Sequence, residues 1–275
     1  MKPDTQPAAP RARAAGGERT LPGPLADSLD TPVAMLVGGY GSGKTEVAVN
    51  LAIGLAHAGR EVQVADLDLV NPYFRCREAR ALMEQHGIRV VVPPGAQEFA
   101  DLPIVRPEIA GMLRPPAGSL SLFDVGGDDV GARALGAFRP VLEEGRYELW
   151  QVINSRRPFS DTPDGCAAMG ASIEGTSRLK ITGLLVNSHL ITETTPEVVL
   201  EGWELGRRVA AERGLPLRAV AVMEELADAP ELAVIDVPIL TMTRRMLPPW
   251  STPRDEPLPA ARPVPIGRPT GGHHG

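Results

Sequence analysis

Between about residue 31 and residue 250, short apolar runs alternate with longer stretches of helical periodicity. The apolar runs are Val33 to Val37, Glu61 to Ala65, Ile88 to Val92, Leu120 to Phe123, Leu149 to Ile153, Ile181 to Val186, Leu217 to Val222 and Ile235 to Leu240. Helical patterns lie between several of them, over Lys44 to Ala58, Arg75 to His86 and Pro196 to Arg213. Near-continuous apolar strands separated by helices predict an α/β fold: a mostly parallel, twisted sheet covered by helices on both faces. Gly118, after the Pro115-Pro116 pair, marks the turn into the fourth strand. No internal repeat is evident, and one domain accounts for the whole alternating region.

The two ends break this pattern. Residues 1–30 are rich in Pro, Ala, Gly and Arg without periodicity, and read as a disordered arm. Residues 251–275 carry Pro253, Pro257, Pro259, Pro263, Pro265 and Pro269 and read as a proline-rich disordered tail. The domain proper is expected over residues 31–250.

Composition narrows the class. The chain has 275 residues, 43% hydrophobic and 23% charged, as in an ordinary globular protein. A net charge of −6 argues against a broad nucleic-acid-binding surface. Its two cysteines, Cys76 and Cys166, form no C-x-x-C pair. Neither a zinc knuckle nor a Cys-bridged cluster is signalled, and reduced thiols are expected. No apolar run has the roughly 18–20 residues of a membrane span, and no secretory leader is recognisable. The expected location is the cytoplasm.

The chemistry begins after the first strand. Gly38-Gly39-Tyr40-Gly41-Ser42-Gly43-Lys44-Thr45 matches G-x-x-x-x-G-K-[ST], with a helical pattern continuing through Glu46. Such a loop turns backbone N–H groups onto phosphates, and the helix N-terminus adds partial positive charge. Lys44 is expected at the β- and γ-phosphates and the Thr45 hydroxyl on Mg²⁺. The nucleotide contacts are therefore placed on Gly39 to Glu46.

Acids end the next strands. Asp66-Leu67-Asp68 closes the second, and Asp124-Val125-Gly126-Gly127 closes the fourth. Ligands of open parallel sheets lie beyond the carboxyl ends of the strands. Asp124 is thus a candidate Mg²⁺ group, Asp68 a candidate for Mg²⁺ or the attacking water, and Gly127 a candidate γ-phosphate contact. Asp66 is read as supporting.

Gly38 to Thr45, Asp66-x-Asp68 and Asp124-x-x-Gly127 together resemble the MinD/ParA/CobQ/CobB class of P-loop NTPases. The strings Gly41 to Glu46, Asp66 to Arg75 and Phe123 to Gly131 are similar to a bacterial family of standalone ATP-binding proteins within it. The resemblance covers about residues 33–250. It implies that Asp68 orients the attacking water and that Asn187 contacts the base. Class members that dimerise around ATP carry a second lysine early in the loop, where this chain has Gly39 or Tyr40. The homodimer is therefore left open, with Arg75, Arg133, Arg156 or Arg157 as alternative sources of charge. Asn187-Ser188-His189-Leu190 lacks the Asp of a guanine-reading Asn-Lys-x-Asp, which favours ATP.

Three functions fit these residues. The leading one is a Mg²⁺-dependent ATPase whose hydrolysis switches the loop from Asp124 to Gly131. A second is an ATP-dependent ligase or kinase acting on a small carboxylate, with Asn71 to Arg75 lining the acceptor site. A third is a nucleotide-bound adaptor for a protein partner.

Overall fold

The computed structural model describes residues 23–67, 79–91, 107–127, 129–142 and 146–246. Its strands are β1 (Val33–Val37), β2 (Glu61–Leu67), β3 (Arg89–Val91), β4 (Ser119–Val125), β5 (Tyr147–Ile153), β6 (Gly183–Val186), β7 (Leu217–Met223) and β8 (Ile239–Met242). All pair in parallel, in the order β3-β2-β4-β1-β5-β6-β7-β8. The helices are α1 (Gly23–Asp27), α2 (Lys44–His57), α3 (Arg80–Gln85), α4 (Pro107–Met112), α5 (Asp129–Phe138), α6 (Pro163–Ser177) and α7 (Pro196–Arg213).

The alternation of side chains along each strand divides the core in two. Ala34 and Leu36 of β1 join Val62, Leu122, Trp150 and the apolar residues of α2 on one face. Val33, Met35 and Val37 join Phe123, Leu149 and residues of α4, α5, α6 and α7 on the other. A sheet buried on both faces needs apolar residues at nearly every position, which is why the strands read as continuous runs.

Helix ends follow from local chemistry. Pro163 opens α6 behind Thr162, whose hydroxyl accepts from the Gly165 N–H at 3.1 Å. Pro196 opens α7, and left-handed Gly214 closes it.

Two expectations are corrected. The N-terminal arm does not extend to residue 30. Residues 23–27 form α1, and Leu25 and Leu29 are fully buried against the α2 face. The last strand begins at Ile239 instead of Ile235, because Pro230–Val234 turns as a 3-10 helix and Pro238 precedes the strand. The proline-rich tail lies outside the described residues.

β1 lies between β4 and β5. The chain lays β2 and β3 beyond β4, then returns to add β5 to β8 on the other side. The order reverses at β1, and the crevice beyond such a reversal is where α/β folds bind ligands. Register keeps the strand ends level: Leu36 pairs with Asp124, Val37 with Gln151, and Ile153 with Val186. The phosphate loop, the Asp124 loop, Asn154 and Asn187 therefore emerge along one edge.

Candidate nucleotide-binding site

The phosphate loop joins β1 to α2 through Gly43, which is left-handed at φ +80°. A Cβ there would stand 2.2 Å from Asn187 Nδ2, so a side chain is excluded by conformation and by space. No side chain caps the first turn of α2. Its N–H groups are oriented for an anion instead.

Side chains from later strands fasten the loop. Asn187 Nδ2 donates to the Ser42 carbonyl at 2.9 Å. Asn154 Nδ2 and Arg157 Nε donate to the Gly41 carbonyl at 3.3 and 3.1 Å. Lys44 is buried, and its Nζ donates to the Gly38 and Gly39 carbonyls at 3.1 and 3.0 Å. Tyr40 is 74% exposed, leaving its backbone as the part that shapes the loop.

The Thr45 hydroxyl donates to Asp124 Oδ2 at 2.6 Å, and Asp124 is fully buried at the end of β4. Asp66 is its register neighbour on β2 and is also buried. A hydroxyl and a carboxylate in contact beside a phosphate cradle are the hard oxygen donors Mg²⁺ takes together with phosphate oxygens. These residues fit the ion. Gly127 closes the cradle, since a Cβ on it would lie 3.0 Å from Lys44 Nζ and 2.9 Å from the Gly38 carbonyl oxygen. Only a glycine lets the Asp124 loop approach this closely.

From the loop a cavity of about 240 Å³ runs toward the ends of β6, β7 and β8. Its phosphate end is lined by Gly41, Gly43, Lys44, Thr45 and Gly127. Its far end is lined by Ile191, Met223, Met242 and Met246, with Asn187, His189 and Arg244 between. Polarizable methionines suit the faces of a flat ring. Burial, reinforced by Arg157 and Arg244, lowers the His189 pKa to about 4 and leaves the imidazole neutral.

Glu46 also lines the cavity, but its carboxylate is engaged elsewhere. It accepts from the backbone N–H groups of Arg245 at 2.6 Å and Met246 at 3.0 Å, and from Asn50 Nδ2 at 3.2 Å. Burial raises the Glu46 pKa against the opposing pull of these N–H groups and Arg244.

The structure thus brings together Gly39 to Glu46, Asp124, Gly127 and Asn187. Asp68 and the segment from Asn71 to Arg75 lie outside the described residues. Three of the four candidate arginines are described, and they separate clearly. Arg157 lies on the phosphate loop, Arg156 pairs with Glu201, and Arg133 is exposed on α5. Sequence reasoning missed His189, Arg244 and the three methionines. His189 carried a signal, two residues beyond the asparagine that ends β6. The others reach the site through the placement of β7 and β8.

No protein family and no curated protein matches the sequence. Among solved structures, the cell division protein FtsY of Thermotoga maritima is 19% identical, with a TM-score of 0.49, over 70% of this chain and 64% of that one. The signal recognition particle receptor FtsY of Elizabethkingia anophelis, in complex with GDP, is 16% identical, with a TM-score of 0.49, over 78% and 61%. The signal recognition particle 54 kDa protein of Aeropyrum pernix is 20% identical, with a TM-score of 0.47, over 70% and 42%. The chain spans less than two thirds of the length of each.

A parallel sheet covered on both faces, with G-x-x-x-x-G-K-T at the strand-order reversal, defines a P-loop NTPase fold. Its loop at that reversal, with left-handed Gly43 opening an uncapped helix, has the form of a phosphate cradle. No helix among the described residues is long and apolar enough to cross a membrane.

Proposed function

We propose that this protein is a Mg²⁺-dependent ATPase of the MinD/ParA-like class, in which hydrolysis switches the loop following β4. The contact between Thr45 and Asp124 carries this reading, since it gathers the two protein oxygen groups such a Mg²⁺ site uses. Lys44 leaves the Gly38 and Gly39 carbonyls to neutralise the β- and γ-phosphates. Thr45 and Asp124 would hold Mg²⁺, which would supply charge neutralisation when bound. The Gly127 N–H takes the γ-phosphate and gives the loop two states, with and without that contact. Asp68 orients the attacking water by the family resemblance.

ATP is favoured over GTP for two reasons. Guanine's N1–H and N2–H₂ call for a carboxylate acceptor, and Leu190 stands where the guanine-reading Asp would be. Among the described lining residues Glu46 is the one acid, and its oxygens already accept three N–H groups. Asn187 stands between the phosphate loop and the base end.

The test is equilibrium binding and phosphate release with ATP and GTP, with and without Mg²⁺. Slow ATP turnover that requires Mg²⁺ and is lost in Lys44→Ala is expected. A folded protein that binds neither nucleotide would overturn the reading.

A further inference from the structure

The chain leaves β8 at Met242, and residues 243–246 run on without regular secondary structure. Two side chains of α2 nevertheless fix their backbone. Glu46 accepts from the Arg245 and Met246 N–H groups, the first of them 199 residues away in sequence. Asn50, one turn further along α2, makes a reciprocal pair with Thr243. Its Nδ2 donates to the Thr243 carbonyl at 3.0 Å, and its Oδ1 accepts from the Thr243 N–H at 2.9 Å. Three N–H groups and one carbonyl of an irregular segment are thus satisfied by one helix.

That helix begins in the phosphate loop. Lys44 and Thr45 hold the phosphate end of the cavity, and Glu46 follows directly in the same turn. The fastened segment places Arg244 and Met246 in the wall of the same cavity. The first turns of α2 therefore set the distance between the triphosphate cradle and the wall opposite it. A carboxylate accepting two backbone N–H groups makes charge-assisted bonds, stronger than those between neutral groups.

We propose that Glu46, seconded by Asn50, is a positioning residue for nucleoside recognition: it clips residues 243–246 to the phosphate-loop helix, so that Arg244 and Met246 wall the base and ribose. The proposal rests on the reading of the cavity as a nucleoside triphosphate site. It assigns to Glu46 no contact with phosphate and none with the reacting atoms.

A pair of ligands separates this role from general stabilisation. Inorganic tripolyphosphate fills the phosphate end alone, whereas a nucleoside triphosphate needs both ends. Both are titrated with Mg²⁺ into wild-type protein and into Glu46→Ala, Glu46→Gln and Asn50→Ala. The nucleotide is whichever of ATP and GTP the wild type binds more tightly. Glu46→Ala is expected to weaken nucleotide binding about tenfold or more while tripolyphosphate affinity stays within about twofold. Glu46→Gln keeps one acceptor oxygen and falls between. Asn50→Ala shows the same selectivity more weakly, and decides the matter if Glu46→Ala does not fold. Equal losses for both ligands, or no loss for either, overturn the clip while leaving the nucleotide site standing. A wild type that binds tripolyphosphate as tightly as either nucleotide overturns the nucleoside reading and the clip with it.

Discussion

The Thr45 hydroxyl lies 2.6 Å from Asp124 Oδ2, although 79 residues separate them. Two strand ends create the contact. β1 delivers the phosphate loop, and its neighbour β4 delivers the carboxylate in register with Leu36. The site is a consequence of which strand lies beside β1.

On the proposed reading, Gly127 contacts the third phosphate. A methyl group there would press on Lys44 Nζ and the Gly38 carbonyl. Gly127→Ala is expected to lower ATP affinity about tenfold or more and ADP affinity by less than about threefold. Calorimetric titration with both nucleotides checks this; equal losses would remove Gly127 from the γ-phosphate.

Much of this was legible in the sequence, for identifiable reasons. Buried parallel strands advertise themselves as apolar runs, and Val33–Val37 and Pro196–Arg213 have the predicted bounds. The α7 helix is bracketed by Pro196 and Gly214, the residues whose backbone preferences set helix ends. The short helix α1 was hidden because it follows a Pro- and Gly-rich stretch, and its signal is only Leu25 and Leu29 four residues apart. The far end of the cavity was illegible for another reason. Arg244 and Met246 belong to no motif, and reach the site through side chains of α2.

The two adjacent arginines should behave differently. Arg157→Ala removes a guanidinium held on the phosphate loop and is expected to weaken nucleotide binding about tenfold. Arg156→Ala removes a half-exposed pair with Glu201, worth at most about 1 kcal/mol, and should leave binding nearly unchanged. Parallel titrations of both variants decide it. Equal effects would contradict the assignment.

His189 makes stability depend on pH. Its folded pKa of about 4 lies below the ordinary 6.5, so the unfolded chain binds more protons between those values. The His189 contribution is fully present above 6.5 and is lost as pH falls through the folded value. Thermal melts of the nucleotide-free protein from pH 7 to pH 4 should show a steeper fall in Tm for the wild type than for His189→Gln. Parallel curves would contradict the half-buried, neutral imidazole.

The short N-terminal helix belongs to the folded domain. Leu25→Ala and Leu29→Ala each empty a fully buried position and should each cost about 2–5 kcal/mol, measured by urea unfolding. Losses within about 0.5 kcal/mol, as for surface substitutions, would return this segment to a dispensable arm.

The most direct test of the central claim is the Mg²⁺ dependence of ATP turnover in the wild type and in Asp124→Asn. The wild type is expected to release phosphate only with Mg²⁺, and Lys44→Ala to release none. Asp124→Asn should still bind ATP, but with turnover reduced at least about a hundredfold and Mg²⁺ no longer strengthening binding. Wild-type turnover that is indifferent to chelation, or Asp124→Asn turnover equal to the wild type, would contradict a Mg·ATP site built on Thr45 and Asp124.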